Sequence, residues 1–453
     1  MFDVLFTVGS FLVAIAILIA IHEFGHFWVA KKLGVKVLRF SIGMGKPIWT
    51  KVFGPDKTEF VLAAIPLGGY VSMLNEQEGE VAEEEKHRAF NQQKIWRRSL
   101  IVLAGPAFNF LLAILIYWGI SVWGVEGVKP ILKEIEPGSI AAQAGLERGA
   151  EIVSIDGWNT PTWDAVFQEA IPRLVDRGEL KLRAKDRSGI VTEHVLDLAT
   201  IDINRSLKRP LDEMGMYPFE LPADVKEVVE GKSADKAGML AGDRIVMLGD
   251  KKINHWYQVA HYLEDKANKT FPVIVERAGE RVTLTVTPYE AEVKGFKLGR
   301  IGAAVLIPER SEVPRETAIN QYSVFSAIGY SLHRTWNVTY TTAQALGLMV
   351  TMKMSLTNVS GPINIAVVAG KSASIGIDRY ILFLALVSIS LGILNLLPIP
   401  ILDGGHLLYY LVEAVKGSPV SDFVEAIGQR IGIMLLVMLM LLAFYNDIVR
   451  LTT

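Results

Sequence analysis

The chain has 453 residues, of which 51% are hydrophobic and 21% are charged, and its formal net charge is −2. This balance predicts a membrane protein with room for soluble modules, and it gives no support for a nucleic-acid partner, because no basic patch is interleaved with aromatic residues. The chain contains no cysteine. Thiol nucleophiles, disulfides and thiolate metal sites are therefore excluded, and any metal would need His, Asp, Glu or water as ligands.

The first hydrophobic run, from about residue 4 to 29, carries no ionisable side chains except those of an HExxH sequence at residues 22–26. His22 and His26, four residues apart, would lie on one face of a helix and could share a zinc ion, with Glu23 beside it as a potential general base. Ionisable groups are costly in hydrocarbon, so a cluster of them in a membrane span indicates function. The alternative is a polar helix patch that only packs against partner helices.

Four hydrophobic runs are predicted to cross the membrane, and the first is read as a retained span because no positive segment precedes it. The fourth, residues 431–445, is short and would need a thin bilayer or snorkelling flanks. The predicted organisation is a transmembrane helix (1–33), a cytoplasmic or membrane-reentrant β region with an acidic loop (34–98), a second transmembrane helix (99–125), two tandem modules (126–221 and 222–309), an amphipathic or interfacial helical segment (310–376), a third transmembrane helix (377–403), a cytoplasmic loop (404–430), and a fourth transmembrane helix with the C-terminus (431–453).

Basic residues predict the orientation. They are concentrated at both ends of the connection between spans one and two, which is therefore predicted to be cytoplasmic, with both termini and residues 126–375 outside the cytoplasm. His22 would lie roughly 14 Å along the helix from Lys31, so a water-filled cavity should open toward the cytoplasm. The basic residues concerned are Lys31, Lys32, Lys36, Arg39, Lys94, Arg97 and Arg98.

The stretch Thr335–Met352 is also free of charge, but its Thr, Asn and Gln content favours an amphipathic surface helix over a fifth span. With four spans, the end of the first, which holds His22 and His26, and the end of the third, which holds Asp403, lie at similar depth.

Two histidines leave a zinc site incomplete, because catalytic zinc normally has three protein ligands.

Asp403 is the best candidate for the third ligand. Pro398 and Pro400 precede it and should break the helix, which frees backbone groups that only a protein-lined or watery cavity could satisfy. A kinked helix end with a solvated Asp403 remains the alternative. His406 is a rival ligand, although its spacing from Asp403 makes a supporting role more suitable.

Three membrane motifs together resemble the site-2 protease family of intramembrane zinc metalloproteases: the HExxH, the sequence GPAFN at 105–109 and the sequence NxxPxPxLDG at 395–404. The Ser360–Ile363 stretch ahead of span three fits the same family. The resemblance implies a polytopic α-helical membrane protein of four transmembrane helices, with a membrane-associated β-hairpin region and two tandem PDZ-like α+β domains.

The resemblance also implies roles for individual residues. His22, His26 and Asp403 would bind Zn²⁺, and Glu23 would activate water. Asn395 would hold the unwound substrate strand or the developing oxyanion. Residues expected to position the substrate are Asn109, Pro398 and Pro400.

Partners and location follow from the same resemblance. The expected substrates are single-span membrane proteins, namely an anti-sigma factor already cut once outside the membrane and signal-peptide remnants. The expected location is a bacterial inner membrane, with the paired modules in the periplasm. The rival interpretations are a membrane-anchored tandem-PDZ scaffold without protease activity and, less strongly, a metal transporter or sensor.

The region outside the membrane contains a duplication. Residues 138–153 parallel residues 231–246, and Trp163 and Trp256 keep the same offset, so two copies of one module should sit in tandem. The PDZ label comes from the family resemblance. Such a groove could accept a peptide as an added strand, or the modules could act only as a steric gate.

Two further segments are expected to take part in the mechanism. Residues 35–73 predict short strands broken at several glycines, followed by an acidic stretch at 76–85. In the family an equivalent hairpin dips into the membrane, where a free strand edge could capture substrate; the alternative is a cytoplasmic hairpin that only packs on the helices. Residues 316–334 have helical spacing typical of an interfacial helix. The predicted strand breaks are at Gly43, Gly45, Gly54-Pro55 and Gly68-Gly69.

Overall fold

The computed structural model describes residues 2–77, 79–203, 210–219, 221–293, 296–305 and 316–452. It forms two compact units. The helical unit comprises Met1–Val125 and Gln321–Ile448, and the β-rich unit comprises Glu126–Asn320 with Val449–Thr453.

The helices of the described residues are α1 (Phe2–Lys32), α2 (Ile95–Trp123), α3 (Ile140–Gln143), α4 (Trp163–Asp176), α5 (Pro210–Met214), α6 (Ser233–Lys236), α7 (Trp256–Leu263), α8 (Val324–Val350), α9 (Pro362–Ile375), α10 (Ile377–Asn395), α11 (Asp403–Lys416) and α12 (Asp422–Thr452). A 3₁₀ turn at Glu83–Arg88 follows the acidic stretch, and another lies at Leu356–Asn358.

The strands are β1 (Val37–Phe53), β2 (Thr58–Met73), β3 (Val125–Val128), β4 (Glu134–Ile135), β5 (Glu151–Ile155), β6 (Trp158–Asn159), β7 (Glu179–Lys185), β8 (Val191–Asp197), β9 (Met216–Tyr217), β10 (Val225–Val228), β11 (Arg244–Leu248), β12 (Lys251–Lys252), β13 (Phe271–Arg277), β14 (Glu280–Val286), β15 (Tyr289–Val293), β16 (Phe296–Arg300), β17 (Ala303–Val305) and β18 (Thr317–Asn320).

Within the described residues, four helices are long and apolar enough to cross a membrane: Asp3–Lys32, Ile95–Trp123, Ile377–Asn395 and Phe423–Arg450. The predicted number of spans is confirmed, and α8, which contains most of Thr335–Met352, is not one of the four.

The fourth span differs from its prediction. It is a 28-residue segment, because α12 begins at Asp422 and not near residue 431, so no thin bilayer is needed. A run free of charge predicts only the apolar part of a span, whereas the helix extends as far as its backbone groups are paired. The predicted loop 404–430 likewise contains the helix α11.

The segment between the β-rich unit and the third span also differs. Residues 317–320, predicted to open an interfacial helix, form strand β18, which pairs with β3. The helix α8 begins only after Ser323, whose side chain accepts a hydrogen bond from the backbone N–H of Ser326 at 3.3 Å. An N-terminal cap of this kind fixes where a helix starts.

The hairpin region is one pair of long bent strands and not a set of short broken ones. Residues 39–42 of β1 pair with residues 59–62 on one side and with residues 69–72 on the other. Residues 49–53 continue the sheet by pairing with the outer edge of 58–62. The glycines at which breaks were predicted provide the bends, since Gly43 and Gly68 have φ of +90° and +88°.

The duplication predicted from the sequence is visible in the β-rich unit. One four-stranded sheet has the order β6-β5-β7-β8 and the other has the order β12-β11-β13-β14. Trp163 and Trp256 each begin the helix that packs on its own sheet, α4 and α7. Each copy has a separate core, centred on residues such as Ile152 and Leu180 in the first and Ile245 and Val273 in the second.

Candidate metal centre

The two histidines of the HExxH sequence share one face of α1. Their Nε2 atoms are 3.2 Å apart. The four-residue spacing of a helix accounts for this proximity, because residues i and i+4 lie one above the other. This part of the centre is therefore determined locally.

Asp403, from a distant part of the chain, completes the group. Its Oδ2 atom lies 3.2 Å from Nε2 of His22 and 3.5 Å from Nε2 of His26. All three side chains are largely buried, with 13%, 11% and 16% of their surface exposed for His22, His26 and Asp403. Each offers one ligand atom within 4.8 Å of the others.

The chemistry of this group fits a divalent cation. Oδ2 of Asp403 is buried, and although Nε2 of His22 lies 3.2 Å away, the geometry does not form a hydrogen bond. A carboxylate oxygen in that position, facing two imidazole nitrogens, is costly to bury unless a cation satisfies it. Two histidines and one carboxylate are a known ligand set of catalytic zinc sites, which leave one position open for water or substrate.

Helix α2 supports both histidines. Nδ1 of His26 lies 2.8 Å from the backbone carbonyl oxygen of Ile101, and Nδ1 of His22 lies 3.2 Å from Nδ2 of Asn109. Contacts of this kind hold a histidine ring in a fixed orientation for metal binding. Both supporting residues are buried in α2.

Glycines allow α1 and α2 to approach closely at the centre. A Cβ atom added to Gly25 would lie 2.8 Å from the backbone carbonyl carbon of Ala104. A Cβ atom added to Gly105 would lie against the His26 ring and 2.8 Å from Cε1 of His22. Gly25 and Gly105 therefore let the helix backbones meet where the imidazole rings need space.

Asp403 is placed by the break before α11. The chain is not helical from 396 to 402, which contains Pro398 and Pro400, and helix resumes at Asp403. A Cβ atom on Gly404 would lie 2.5 Å from the carbonyl carbon of Leu396, and one on Gly405 would lie 2.6 Å from Cα of Pro400. The glycines after Asp403 thus allow α11 to fold back against the proline segment.

Contacts with α2 hold α11 and α10 in place. Nη2 of Arg98 donates a hydrogen bond to Oε1 of Glu413 at 2.6 Å. The two side chains are largely buried, with 13% and 15% of their surface exposed. Oγ of Ser388 in α10 donates to the backbone carbonyl oxygen of Asn109 at 2.8 Å. Helix α2, which supports the histidines, therefore also fixes α10, which ends before the proline segment, and α11, which begins at Asp403.

A cavity of about 1070 Å³ opens beside the three side chains. Glu23 and Asn395 line it, as do residues 69–73 of strand β2. Glu23 contacts this strand closely, because a Cβ atom on Gly69 would lie 3.0 Å from Cγ of Glu23. The cavity is large enough for a peptide segment beside the group of possible ligands.

The remaining predicted residues lie in different places. His406 lines the cavity but is outside the group of three possible metal ligands. Pro398 and Pro400 lie in the link before α11 and not in the cavity wall, and Asn109 is wholly buried beside His22. Sequence reasoning missed Gly105 as part of the centre, although the GPAFN motif was a signal for it.

A family model described as peptidase family M50 matches residues 10–439 of the chain. The chain belongs to this family. It is 40% identical over 456 residues to the regulator of sigma-E protease RseP of Escherichia coli (strain K12), and 41% identical over 456 residues to the protein of that name from Salmonella typhimurium (strain 14028s / SGSC 2262), with 100% of both chains covered in each case. A Vibrio cholerae protein named as a zinc metalloprotease is 40% identical over 455 residues, again with 100% of both chains covered.

The M50 assignment confirms the family resemblance inferred from the three membrane motifs. The similarity to proteins named as regulators of sigma-E protease extends over the full length of the chain. The chain is therefore a membrane peptidase of the site-2 protease class. A scaffold without protease activity and a metal transporter are not supported by this assignment.

Proposed function

We propose that this M50 peptidase hydrolyses peptide bonds within or near the transmembrane segment of single-span membrane proteins, with His22, His26 and Asp403 as zinc ligands. The observation that carries the proposal is the convergence of Oδ2 of Asp403 on the Nε2 atoms of both histidines, next to a helix pair long enough to cross the membrane. Ionisable groups at such a position are retained for function, since burying them costs free energy.

Glu23 is the proposed general base. When bound, zinc would polarise the scissile carbonyl and lower the pKa of the attacking water. Glu23 follows His22 directly and lines the same cavity, so its carboxylate can accept the proton of that water and pass it to the leaving amine. Asn395, at the last position of α10 and in the cavity wall, is the proposed donor to the substrate backbone or developing oxyanion.

A transmembrane substrate must be unwound before it can be cut, because a helix in lipid pairs its backbone groups internally. Among the residues that the structure describes, 69–72 pair with β1 along one edge and with no strand along the other, and this segment lines the cavity. We propose that its free edge receives the extended substrate by strand addition. Pro398 and Pro400 contribute indirectly, by ending α10 at Asn395 and allowing Asp403 to turn toward the histidines.

The biological role is proposed from the relatives. Proteins named as regulators of sigma-E protease match the chain over its full length, so the proposed substrates are an anti-sigma factor that has already lost its outer domain and signal-peptide remnants. The proposed location is the bacterial inner membrane, with the β-rich unit in the periplasm and the cavity open to the cytoplasm. The two modules of that unit are proposed to be PDZ-like and to exclude uncut substrates.

The test of the catalytic assignment uses purified protein and a single-span test substrate. Glu23→Gln should keep the fold and bound zinc but stop cleavage, whereas His22→Ala and Asp403→Ala should lose zinc as well. His406→Ala, which alters the cavity wall outside the group of ligands, is the matched control and should retain zinc. Cleavage by Glu23→Gln at the wild-type rate would remove the catalytic assignment.

The size-filter role has its own test. Deletion of residues 127–309 should allow substrates that retain their outer domain to be cut, while cleavage of pre-cut substrates continues. If the deleted enzyme still discriminated between the two substrates, the filter would have to lie elsewhere.

A further inference from the structure

Asn109 is a buried polar residue whose contacts do not suit a role in substrate binding. Its side chain is 0% exposed, and the residue is outside the wall of the cavity that holds Glu23 and Asn395. Its Nδ2 atom lies 3.2 Å from Nδ1 of His22, while its Oδ1 atom is buried without a hydrogen-bond partner. The amide therefore contacts His22 and does not form part of the cavity lining.

The chemistry of His22 determines which amide atom should face it. Nε2 of His22 points to Asp403 and His26, so metal binding requires the lone pair on Nε2 and places the ring hydrogen on Nδ1. An Nδ1–H group is a donor and needs an acceptor. The two ends of an amide side chain have almost the same shape, so their assignment follows from the hydrogen bonds. With Oδ1 turned toward His22, the ring hydrogen gains its acceptor, and Oδ1 leaves a buried position where no donor faces it, which the amide NH2 group then occupies.

The second histidine has the same arrangement. Nδ1 of His26 faces the carbonyl oxygen of Ile101 at 2.8 Å. Ile101 and Asn109 belong to the same helix, so α2 would present one carbonyl oxygen to each of the two rings. At His22, the side-chain oxygen of Asn109 would take the role that the backbone oxygen of Ile101 has at His26. The backbone oxygen of Asn109 itself accepts a hydrogen bond from Oγ of Ser388.

We infer that Asn109 is a positioning residue for zinc binding, whose Oδ1 accepts a hydrogen bond from Nδ1–H of His22 and fixes that ring with Nε2 toward Asp403. The inference rests on the proposed function of His22 as a zinc ligand. It replaces the predicted role of Asn109 in substrate positioning. Residues that orient metal-binding histidines in this way typically change metal affinity by about 10–100-fold when they are mutated.

The test measures zinc affinity by chelator competition in the full-length protein, together with kcat and KM for a single-span test substrate at saturating zinc. Asn109→Ala and Asn109→Leu should each lower zinc affinity by about 10–100-fold. Asn109→Asp keeps an acceptor at the same place and should restore affinity toward the wild-type value. Gly119→Ala, in the same helix as Asn109 but with open space around its Cβ position, should leave zinc affinity close to that of the wild type.

The Ala and Leu variants of Asn109 together distinguish weak zinc binding from a loss of the folded structure. Asn109→Leu fills the space of the amide, so a folded Leu variant with weak zinc binding supports the inference even if the Ala variant is unstable. Wild-type zinc affinity in a folded Leu variant would overturn it, as would a raised KM with unchanged zinc affinity in both variants. Equal zinc binding by the wild type and by His22→Ala would contradict the proposed ligand set and not the role of Asn109. The His22→Ala variant therefore distinguishes a failure of the proposed function from a failure of this inference.

Discussion

The carboxylate of Asp447 accepts a hydrogen bond from the backbone N–H of Gly361 at 2.9 Å. It also accepts one from the backbone N–H of Asn364 at 3.0 Å, and Asp447 is only 1% exposed. A side chain of the last span thus caps the N-terminus of α9, where unpaired N–H groups and the helix dipole favour a negative charge. This contact gives the Ser360–Ile363 stretch, singled out in the sequence, a physical role.

Gly361→Ala should destabilise the helical unit. A Cβ atom there would lie 2.5 Å from Oδ2 of Asp447 and 2.8 Å from the backbone carbonyl oxygen of Ala443, so α12 would have to move away from α9. Overpacking of this kind costs about 1–3 kcal/mol, measurable as a lower unfolding midpoint in detergent. Gly347→Ala is the matched control, because a Cβ atom there meets nothing within 4 Å. Equal midpoints for the two variants would contradict the proposed tight contact.

Gly105→Ala should reduce zinc content and activity without unfolding the protein. The added methyl group would displace the imidazole rings, since its position lies against His26 and 2.8 Å from Cε1 of His22. Gly119→Ala in the same helix has open space around its Cβ position and should behave like the wild type. Zinc determination on both purified variants checks the prediction, and normal zinc content in Gly105→Ala would show that the rings can move aside.

Arg98→Met should weaken the anchoring of α11. Removing one partner of a buried ion pair leaves Glu413 uncompensated, which typically costs about 3–5 kcal/mol. The double variant Arg98→Met with Glu413→Leu removes both charges and should recover part of that loss. Unfolding free energies of the wild type, the two single variants and the double variant give the coupling energy. Simple additivity of the two single effects would argue against the ion pair as an anchor.

The second module should lose stability in acid through Asp243. Burial by itself raises the pKa of Asp243, but hydrogen bonds from Arg277, at 2.7 Å to each carboxylate oxygen, and from the backbone N–H of Leu240 outweigh it and hold the pKa below the ordinary value of 3.8. A lowered folded-state pKa gives stability that is present above the ordinary pKa and is lost as the pH falls through the folded value.

Hydrogen exchange of strands β11, β13 and β14 between neutral pH and pH about 3 measures this loss. Asp243→Asn should be less stable than wild type at neutral pH, and its stability should depend less on pH below about 4. The first module provides an internal reference, because Ala150 takes the place of Asp243 in the repeat. A pH profile unchanged by Asp243→Asn would assign the acid sensitivity to other groups.

Features of this protein that depend on neighbours along the chain could be predicted from its residues. The pairing of His22 with His26 follows from helical spacing, and the four spans follow from the length of apolar runs. The break before Asp403 follows from Pro398 and Pro400, which cannot take helical positions there without losing hydrogen bonds. The duplication of the modules follows from the parallel residues around Trp163 and Trp256.

Contacts between residues that are far apart in the chain became visible only in the folded structure. The approach of Asp403 to the histidines depends on Gly25 and Gly105, which let α1 and α2 touch, and on the pairing of Arg98 with Glu413. The bent hairpin was predicted as short broken strands because local patterns cannot show that residues 39–42 pair on both sides. The start of α12 at Asp422 escaped prediction for a related reason. A helix is defined by its backbone hydrogen bonds and its packing, so it can begin among charged residues that lie outside an uncharged run.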